Sequence, residues 1–183
     1  MIGTMARKPV AREAVLDAFE SLLIEEGERA ATLDAVARLA GVSKGGLLYH
    51  FPNKEAMVSV LLERLDRLLA EDLAAMAAAP EGAAAFFIKS SVWADTPLDR
   101  VFVAATRLAE VAHEETLRRM AAVQASWLEL LAADVGPAMA KPVLYMGDGL
   151  YFNAMLARGP GGPFPEVGPD VESLLLALER LRC

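Results

Sequence analysis

A short stretch near the N-terminus concentrates side chains that can bind the phosphates or the base edges of a nucleic acid. Lys44 and Lys54 carry ammonium groups, and Tyr49 and His50 lie between them in the sequence. An ammonium group neutralises a phosphate and also donates to the acceptors of guanine, while a phenol donates one hydrogen bond. The chemistry that this combination favours is contact with DNA.

Two consecutive glycines, Gly45 and Gly46, follow Lys44 inside what the pattern predicts to be a short helix. Each glycine costs a helix interior up to about 1 kcal/mol relative to alanine, so something must favour glycine there. The missing side chains would let the helix backbone approach DNA closely, and Lys44 could then reach a guanine edge or a phosphate. The alternative is a surface turn that merely tolerates glycine.

The elements that must position these groups are two short helices on either side of a tight turn. Thr32 is suited to cap the first helix and Ser43 to cap the second, with Gly41 at the turn between them. The second helix must end near Phe51, because Pro52 disfavours a helical conformation in the residue before it. This is the helix-turn-helix arrangement, whose second helix enters the major groove of DNA.

Residues 32–57, TLDAVARLAGVSKGGLLYHFPNKEAM, resemble the TetR-family signature. That signature has a short helix, then G-V-S, a compact recognition helix ending in Y-H-F, and a lysine that opens the next helix. The resemblance covers the first third of the chain closely, and beyond it rests on helix count and length and on a DGL-type segment at residues 147–150. It implies DNA contacts, and phosphate contacts in particular for Tyr49 and His50. The expected DNA-binding residues are Thr32, Ser43, Lys44, Gly45, Gly46, Leu48, Tyr49, His50 and Lys54.

Several of these residues have a second interpretation. Thr32 can cap its helix or touch a phosphate, and capping is favoured because the two roles compete for one hydroxyl. Tyr49 can pack partly into the core, to which Phe51 is assigned outright. Leu48, a position often aromatic or polar in the family, can contact a thymine methyl or turn inward. Lys54 lies in the first turn of the next helix, where a bound phosphate would offset the unfavourable helix dipole.

A longer helix precedes the two short ones, and a much longer helix follows them. Apolar residues recur at helical spacing over residues 15–23, with Pro9 suited to the first turn and Gly27 to the stop. Asn53 is placed to cap a helix that continues to residue 79, about 39 Å at 1.5 Å per residue. Such a helix can connect two domains mechanically.

The rest of the chain keeps the helical period, and no strand-like alternation of useful length is present. Further helices are predicted at residues 82–92, from 96 onward, at 115–134, at 138–157 and from 169 to the end, with a glycine- and proline-rich loop at 159–168. The predicted fold is therefore all-α. Residues 1–53 form a helix-turn-helix domain and residues 54–183 a ligand-binding and dimerisation domain, in which residues 54–79 are the connecting helix.

Composition and charge narrow the classes of function. The net charge is −7, but residues 1–67 hold 9 Lys and Arg against 10 Asp and Glu, so most of the acidity lies outside the predicted DNA-binding part. Cys183 is the single cysteine, which excludes an intrachain disulfide and favours a reducing compartment. Neither His50 nor His113 has the spacing of a metal ligand. Because long uncharged apolar stretches and a signal peptide are also missing, we expect a cytoplasmic protein without metal or cofactor.

The second part of the chain has the composition of a small-molecule binding domain. It lacks a nucleophile elbow, a phosphate loop and paired catalytic carboxylates, so enzymatic function has little support. Pockets are mainly apolar with a few polar anchors, although most large apolar side chains on helices belong to the core. The candidate ligand-binding residues are Phe86, Trp93, Phe102, Arg107, Met120, Gln124, Trp127 and Phe152.

The last two predicted helices are candidates for a dimer interface. The final helix carries more apolar surface than packing on its own domain requires, and Gly147 and Gly149 would cost the preceding helix stability unless a close helix approach used them. The alternative is that both helices close the core of a monomer. The candidate interface residues are Leu144, Tyr151, Met155, Val171, Leu174, Leu175 and Leu178.

Taken together, these patterns predict a homodimer that binds a palindromic operator in double-stranded DNA and is released by an apolar or amphipathic small molecule, most simply as a repressor. Two other functions stay open. The same fold can serve an activator or a partner-binding protein, and a small helical enzyme is the weaker alternative because no catalytic constellation supports it.

Overall fold

The computed structural model describes residues 7–158 and 165–181, and the side chains of residues 11–157 and 165–181 within them. Cys183, the first six residues and most of the predicted 159–168 loop lie outside this part of the chain. The described residues are helical apart from their connections, which confirms the predicted all-α fold. The helices are α1 (Arg7–Glu26), α2 (Leu33–Leu39), α3 (Lys44–His50), α4 (Lys54–Ala77), α5 (Ala83–Ser90), α6 (Pro97–Glu110), α7 (Glu114–Val135), α8 (Pro137–Arg158) and α9 (Gly168–Leu181).

The chain divides into two compact units. The first unit contains the described residues up to 68 together with residues 97–120, and the second contains residues 69–96 and the described residues from 121 onward. Both α4 and α7 therefore begin in the first unit and end in the second. These units are defined by contacts within the chain, whereas the boundary predicted at residue 53 separates functions, and that boundary stays a prediction.

In the first unit, α1 packs against α2, α3 and α6. The apolar period of α1 places Val15, Phe19 and Leu23 on its buried face. The helix stops at Gly27, whose φ of 83° lies in the left-handed region that glycine adopts readily. The Gly27 N–H donates to the Leu22 carbonyl at 3.0 Å. This apolar face is the support on which the two short helices rest.

A buried carboxylate joins three helices of the first unit. Glu20 on α1 is 4% exposed. Arg64 on α4 donates from Nη1 to its Oε2 at 3.1 Å, and Arg100 on α6 donates from Nε to its Oε1 at 3.1 Å. The arginines have further partners, since Arg64 also binds Glu13 and Asp17, and Arg100 also binds the Ser21 hydroxyl. A buried charge is tolerated only when it is paired and hydrogen-bonded, so this network fixes α4 and α6 against α1.

In the second unit, α5 packs against α8 and α9. The helices α5 and α8 approach closely at Gly147 on α8, where an added Cβ would lie 2.4 Å from both Phe87 Cε1 and Ser91 Oγ of α5. The Phe87 ring also meets the Trp127 ring edge to face, with centroids 5.4 Å apart. The close helix approach expected at Gly147 is therefore made within the chain, whereas nothing lies within 4 Å of a Cβ built at Gly149.

An acidic side chain caps the start of α5. Gly82 has a φ of 91°, and Ala84 N–H donates at 2.8 Å to the carboxylate of Asp134 near the end of α7. The carboxylate satisfies a helix N–H that has no intrahelical partner. It also leaves no room at residue 82, because a Cβ there would lie 2.9 Å from Asp134 Oδ2.

Among the described residues, no helix combines the length and apolarity needed to cross a membrane. Within the same residues, no three His, Cys, Asp or Glu side chains are grouped so that they could hold a metal ion.

The buried carboxylate predicts a pH dependence of folding. Burial is the largest influence on Glu20 and raises its pKa above the ordinary value of 4.5, although Arg64 and Arg100 oppose the rise. The folded protein therefore holds this proton more tightly than the unfolded chain does. The contribution of the carboxyl to stability is complete below pH 4.5 and declines as the pH rises through the folded-state pKa.

The test compares the wild type with Glu20→Gln, in which both arginines keep their other partners. We expect the stability advantage of the wild type over the variant to shrink as the pH rises from about 4 to about 7. Urea unfolding of both proteins across this range measures it, since subtraction cancels every other titrating group. An advantage that grows with pH would contradict the assignment.

Candidate nucleic-acid interface

The first short helix of the motif, α2, begins at a capping hydroxyl. Thr32 has extended backbone angles, and its Oγ1 accepts a hydrogen bond from Ala35 N–H at 3.2 Å. This is the capping role favoured for Thr32 by the sequence. Val36 and Ala37 are buried, so α2 is anchored on its inner side.

A glycine turn separates the two short helices. Gly41 has a φ of 68°, and the next residue, Val42, donates its N–H to the Ala37 carbonyl at 3.0 Å. A left-handed residue at this point closes α2 in the way that helix ends commonly use. The tight turn sets the direction in which α3 leaves.

The second short helix, α3, is capped at one end and locked by core residues at the other. Ser43 Oγ accepts from Gly46 N–H at 3.0 Å. Leu47 is fully buried, and Phe51, which ends the helix with a φ of −136°, is 1% exposed. With one face of the helix so fixed, its other face must point to solvent.

The exposed face of α3 carries the residues expected to bind DNA. Lys44 and Gly45 are exposed, as are Leu48, at 39%, and Tyr49, at 70%. The outward orientation of Leu48 and Tyr49 removes the inward alternatives considered for both. His50 is half-buried, and its ring meets the Tyr49 ring edge to face with centroids 5.2 Å apart.

The two glycines of α3 differ in their surroundings. A Cβ at Gly46 would lie 3.2 Å from Ser43 Oγ, so the cap itself favours a small residue there. A Cβ at Gly45 would meet nothing within 4 Å. Packing among the described residues therefore gives no reason for Gly45, which leaves the approach of a binding partner or simple tolerance as the explanation.

The two lysines of the motif have carboxylate partners that lie far from them in the sequence. Lys44 Nζ lies 3.0 and 3.1 Å from the two carboxylate oxygens of Asp34, and both side chains are largely exposed. Lys54 Nζ donates at 2.7 Å to both the carboxylate and the backbone carbonyl of Glu28, and both of these side chains are only 28% exposed. The partners lie 10 and 26 residues earlier in the chain, on other elements, so helical spacing within one helix could not predict these pairs. Lys54 therefore links the start of α4 to the connection between α1 and α2.

A further basic group near α3 is Arg12 on α1, whose guanidinium lies 5.1 Å from the centroid of the Phe51 ring. This distance is within the range of a cation–π contact. The contact holds a positive charge beside the end of α3.

The candidate ligand-binding residues are divided between the two units. Phe102, Arg107 and Met120 belong to the first unit, and Phe86, Trp93, Gln124, Trp127 and Phe152 belong to the second. Phe86 and Trp127 pack against the core of the second unit, and Arg107 binds Glu110 at 3.2 Å, whereas Phe152 is 62% exposed. A cleft of about 560 Å³ lies between α8 and α9, and none of the eight candidates lines it.

The candidate dimer residues occupy two environments. Leu144 and Leu178 are each 2% exposed and lie in the core of the second unit, where they have almost no surface left for a partner. The structure therefore corrects the expectation that they face another chain. The others are partly buried, namely Tyr151, Met155, Val171, Leu174 and Leu175.

Exposed apolar side chains lie elsewhere on α8. Tyr145, Phe152 and Leu156 are 62 to 64% exposed, and with Gly149 they recur every three to four residues along one face of the helix. We call these four residues the α8 stripe. The sequence pattern could have indicated it, but the purely apolar positions next to it gave the stronger signal.

Two capped short helices around a glycine turn, the second with an exposed outer face, define a helix-turn-helix protein. Residues 15–61 match the family model described as bacterial regulatory proteins, tetR family. The regulator RutR of Escherichia coli K12 is 42% identical over 83 residues, which cover 42% of this chain but only 37% of RutR. The regulator BetI of Rhizobium meliloti is 29% identical over 166 residues, which cover 84% of this chain and 82% of BetI.

Solved structures have the same fold. A TetR-family member from Streptomyces coelicolor aligns with a TM-score of 0.65 at 22% identity, over 93% of this chain and 97% of the other. NalD of Pseudomonas aeruginosa aligns with a TM-score of 0.65 at 19% identity, over 93% and 94%. Residues 15–61 therefore match the TetR-family model, and the chain as a whole has the fold of solved TetR-family structures.

The lysine geometry predicts unequal effects on stability. Lys54→Ala leaves a half-buried carbonyl and carboxylate of Glu28 without their ammonium donor, so we expect the free energy of unfolding to fall by about 1–3 kcal/mol. Lys44→Ala breaks only an exposed ion pair, and we expect a change within about 0.5 kcal/mol. Urea unfolding followed by circular dichroism compares the two variants directly. Equal decreases in the free energy of unfolding would mean that the contacts of Lys54 with Glu28 do not stabilise the fold.

Proposed function

We propose that the protein is a transcriptional regulator that binds a palindromic operator as a homodimer, with α3 in the major groove, and that a small molecule releases it. The observation that carries the proposal is the exposed face of α3, which presents Lys44, Gly45, Leu48 and Tyr49 from a helix locked on its other side. A fixed helix with an outward polar and small-residue face suits reading of base edges and phosphates.

In the proposed DNA binding, the attraction to phosphate is confined to a few basic groups near α3. The chain has a net charge of −7, so the attraction to phosphate must come from local groups. Arg12 lies beside the end of α3, and Lys44 and His50 belong to α3, but Lys44 is paired with Asp34 and Lys54 with Glu28. We therefore expect few phosphate contacts per subunit and a correspondingly moderate dependence of affinity on salt.

The proposed dimer uses the α8 stripe. Three large side chains exposed along one helix face offer an apolar surface that a second helix can cover. Gly149 sits in the middle of the stripe with open space where a Cβ would be, which lets a second helix approach the backbone. A two-fold axis makes one such patch serve both chains, and it pairs two recognition helices for a palindrome.

The effector in this proposal is an apolar or amphipathic small molecule. NalD is described as the secondary repressor of a multidrug efflux pump, and another structure with this fold as a multidrug binding protein complexed with imidazole. The aromatic candidates of the second unit, Phe86, Trp93 and Trp127, are suited to such a ligand. Because α4 and α7 continue from one unit into the other, a ligand that prefers one arrangement of these helices can shift the DNA-binding equilibrium. The proposal involves no catalytic step.

The DNA contact is tested with a pair of exposed tyrosines. A preferred duplex is first obtained by in vitro selection from random sequences with the wild-type protein. We expect Tyr49→Phe to weaken binding to that duplex about three- to tenfold, because the variant loses one hydroxyl donor to phosphate. Tyr145→Phe, the matched control on α8, removes the same hydroxyl but keeps the aromatic ring that the α8 stripe uses, so it should bind like the wild type. Fluorescence anisotropy measures both, and unchanged binding by Tyr49→Phe would remove α3 from the interface.

The dimer is tested by placing a charge on the α8 stripe. Phe152→Asp should give a monomer with unchanged helical content, because the side chain is exposed and its loss leaves the core intact. Val111→Asp, at an exposed apolar residue after α6, is the control and should stay dimeric. Light scattering reports the mass and circular dichroism the helicity. A Phe152→Asp dimer of wild-type affinity would place the interface on another surface.

A further inference from the structure

The segment of residues 28–54, which contains both short helices, is positively charged although the whole chain is acidic. It holds four Lys and Arg against two Asp and Glu, a net charge of +2, whereas the chain has a net charge of −7. Both acids of the segment are the partners of its two lysines, so these two pairs are neutral. The positive charge that is left over belongs to Arg29 and Arg38.

Both arginines are exposed, and neither was among the residues expected from the sequence to bind DNA. Within residues 11–157 and 165–181, whose side chains the structure describes, neither guanidinium has a hydrogen-bond or ion-pair partner. A solvated guanidinium keeps all of its N–H donors available for an anion. Arg29 and Arg38 can therefore bind a phosphate without giving up a contact within the described part of the chain.

Arg38 lies on the side of α2 that faces the start of α3. It follows Asp34 by four residues, and residues with this spacing share one face of a helix. The Asp34 carboxylate lies within 3.1 Å of the ammonium of Lys44, the first residue of α3. In a helix-turn-helix protein the first helix of the motif crosses the DNA backbone, while the N-terminal residues of the second contact base edges. Arg38 is therefore placed to meet the backbone beside the start of α3.

Arg29 lies beside the start of α4. Its neighbour Glu28 accepts hydrogen bonds at 2.7 Å from the ammonium of Lys54, the first residue of α4, through both its carboxylate and its backbone carbonyl. The chain next to Arg29 is therefore fixed against α4, which begins four residues after the end of α3. Arg29 and Arg38 thus flank opposite ends of α3.

We propose that Arg29 and Arg38 are phosphate-binding residues, one beside each end of α3, and that they supply most of the sequence-independent affinity for DNA. The inference rests on the proposed function, since it assumes that α3 enters the major groove. It assigns the phosphate affinity to two arginines in place of the two lysines of the motif.

The energetics favour the arginines over these lysines. A lysine that leaves its carboxylate for a phosphate exchanges one anion for another, so its net gain is small, and the carboxylate is left facing negatively charged DNA. An unpaired guanidinium gives up only water, and its binding releases a counterion from the DNA. Its planar donors also match two oxygens of one phosphate at once. Each arginine should therefore contribute one phosphate contact per subunit.

The experiment measures how Arg29→Gln and Arg38→Gln, each in the full chain, bind a random-sequence duplex at several salt concentrations. Fluorescence anisotropy gives the affinities. We expect each variant to bind about five- to thirtyfold more weakly at low salt, since both subunits of the proposed dimer lose one charge-assisted contact. The slope of log affinity against log salt should become shallower by about two, or about one per subunit. Arg29→Lys and Arg38→Lys keep the charge and should restore the slope.

Two controls separate this role from a change in net charge and from the ion pairs. Arg180→Gln removes an exposed arginine near the end of α9, in the second unit, and should keep the wild-type slope. The double variant Asp34→Asn, Lys44→Gln removes a whole ion pair without changing the net charge. It should also keep the wild-type slope on the random duplex, because the neutral pair adds no phosphate contact.

The outcomes distinguish this inference from the proposed function. An unchanged slope in an arginine variant, or a loss of affinity without a change of slope, overturns the role of that arginine. A slope that falls as much in the ion-pair variant as in Arg38→Gln means that Lys44 binds the phosphate, and it overturns the assignment to the arginines. In each case the proposed function stands if the wild type still binds its selected duplex. Failure of the wild type to bind any duplex overturns both.

Discussion

The carboxylate of Glu20 is buried in the first unit, and the guanidinium groups of Arg64 and Arg100 bind its two oxygens. A carboxylate in that position without cations would be too costly to keep, so α4 and α6 must stay in place for α1 to pack as it does. The apolar side of α1 in turn supports α2 and α3. The orientation of the exposed face of α3 therefore depends on an ionic contact that is far from that face in the sequence.

The chain has more acidic than basic residues, so the surroundings of each lysine in the motif decide what that lysine binds. The structure assigns the two lysines of the motif to different partners, a solvated carboxylate for Lys44 and a half-buried carboxylate and carbonyl for Lys54. The first arrangement keeps the ammonium exchangeable, and the second makes it part of the fold. Two residues of the same type in one short motif thus differ because their surroundings differ in exposure.

Local features of the motif could be predicted from the sequence, because their causes are local. Caps at Thr32 and Ser43 act within three residues, and the end of α3 at Phe51 follows from the proline after it. The partners of the lysines could not be predicted, because they depend on how separate helices meet. The same limit explains the dimer residues. An apolar period marks a buried face but does not say what buries it, so Leu144 and Leu178 were indistinguishable from interface residues until the core was seen.

Gly147 brings two helices of the second unit into direct contact. Its missing methyl group lets the Phe87 ring and the Ser91 hydroxyl of α5 lie directly against the backbone of α8. Between most packed helices, side chains take up small shifts by changing rotamer, but at this point no side chain on α8 is available to do so. The contact therefore joins side chains of α5 directly to the backbone of α8, the helix that also carries the α8 stripe.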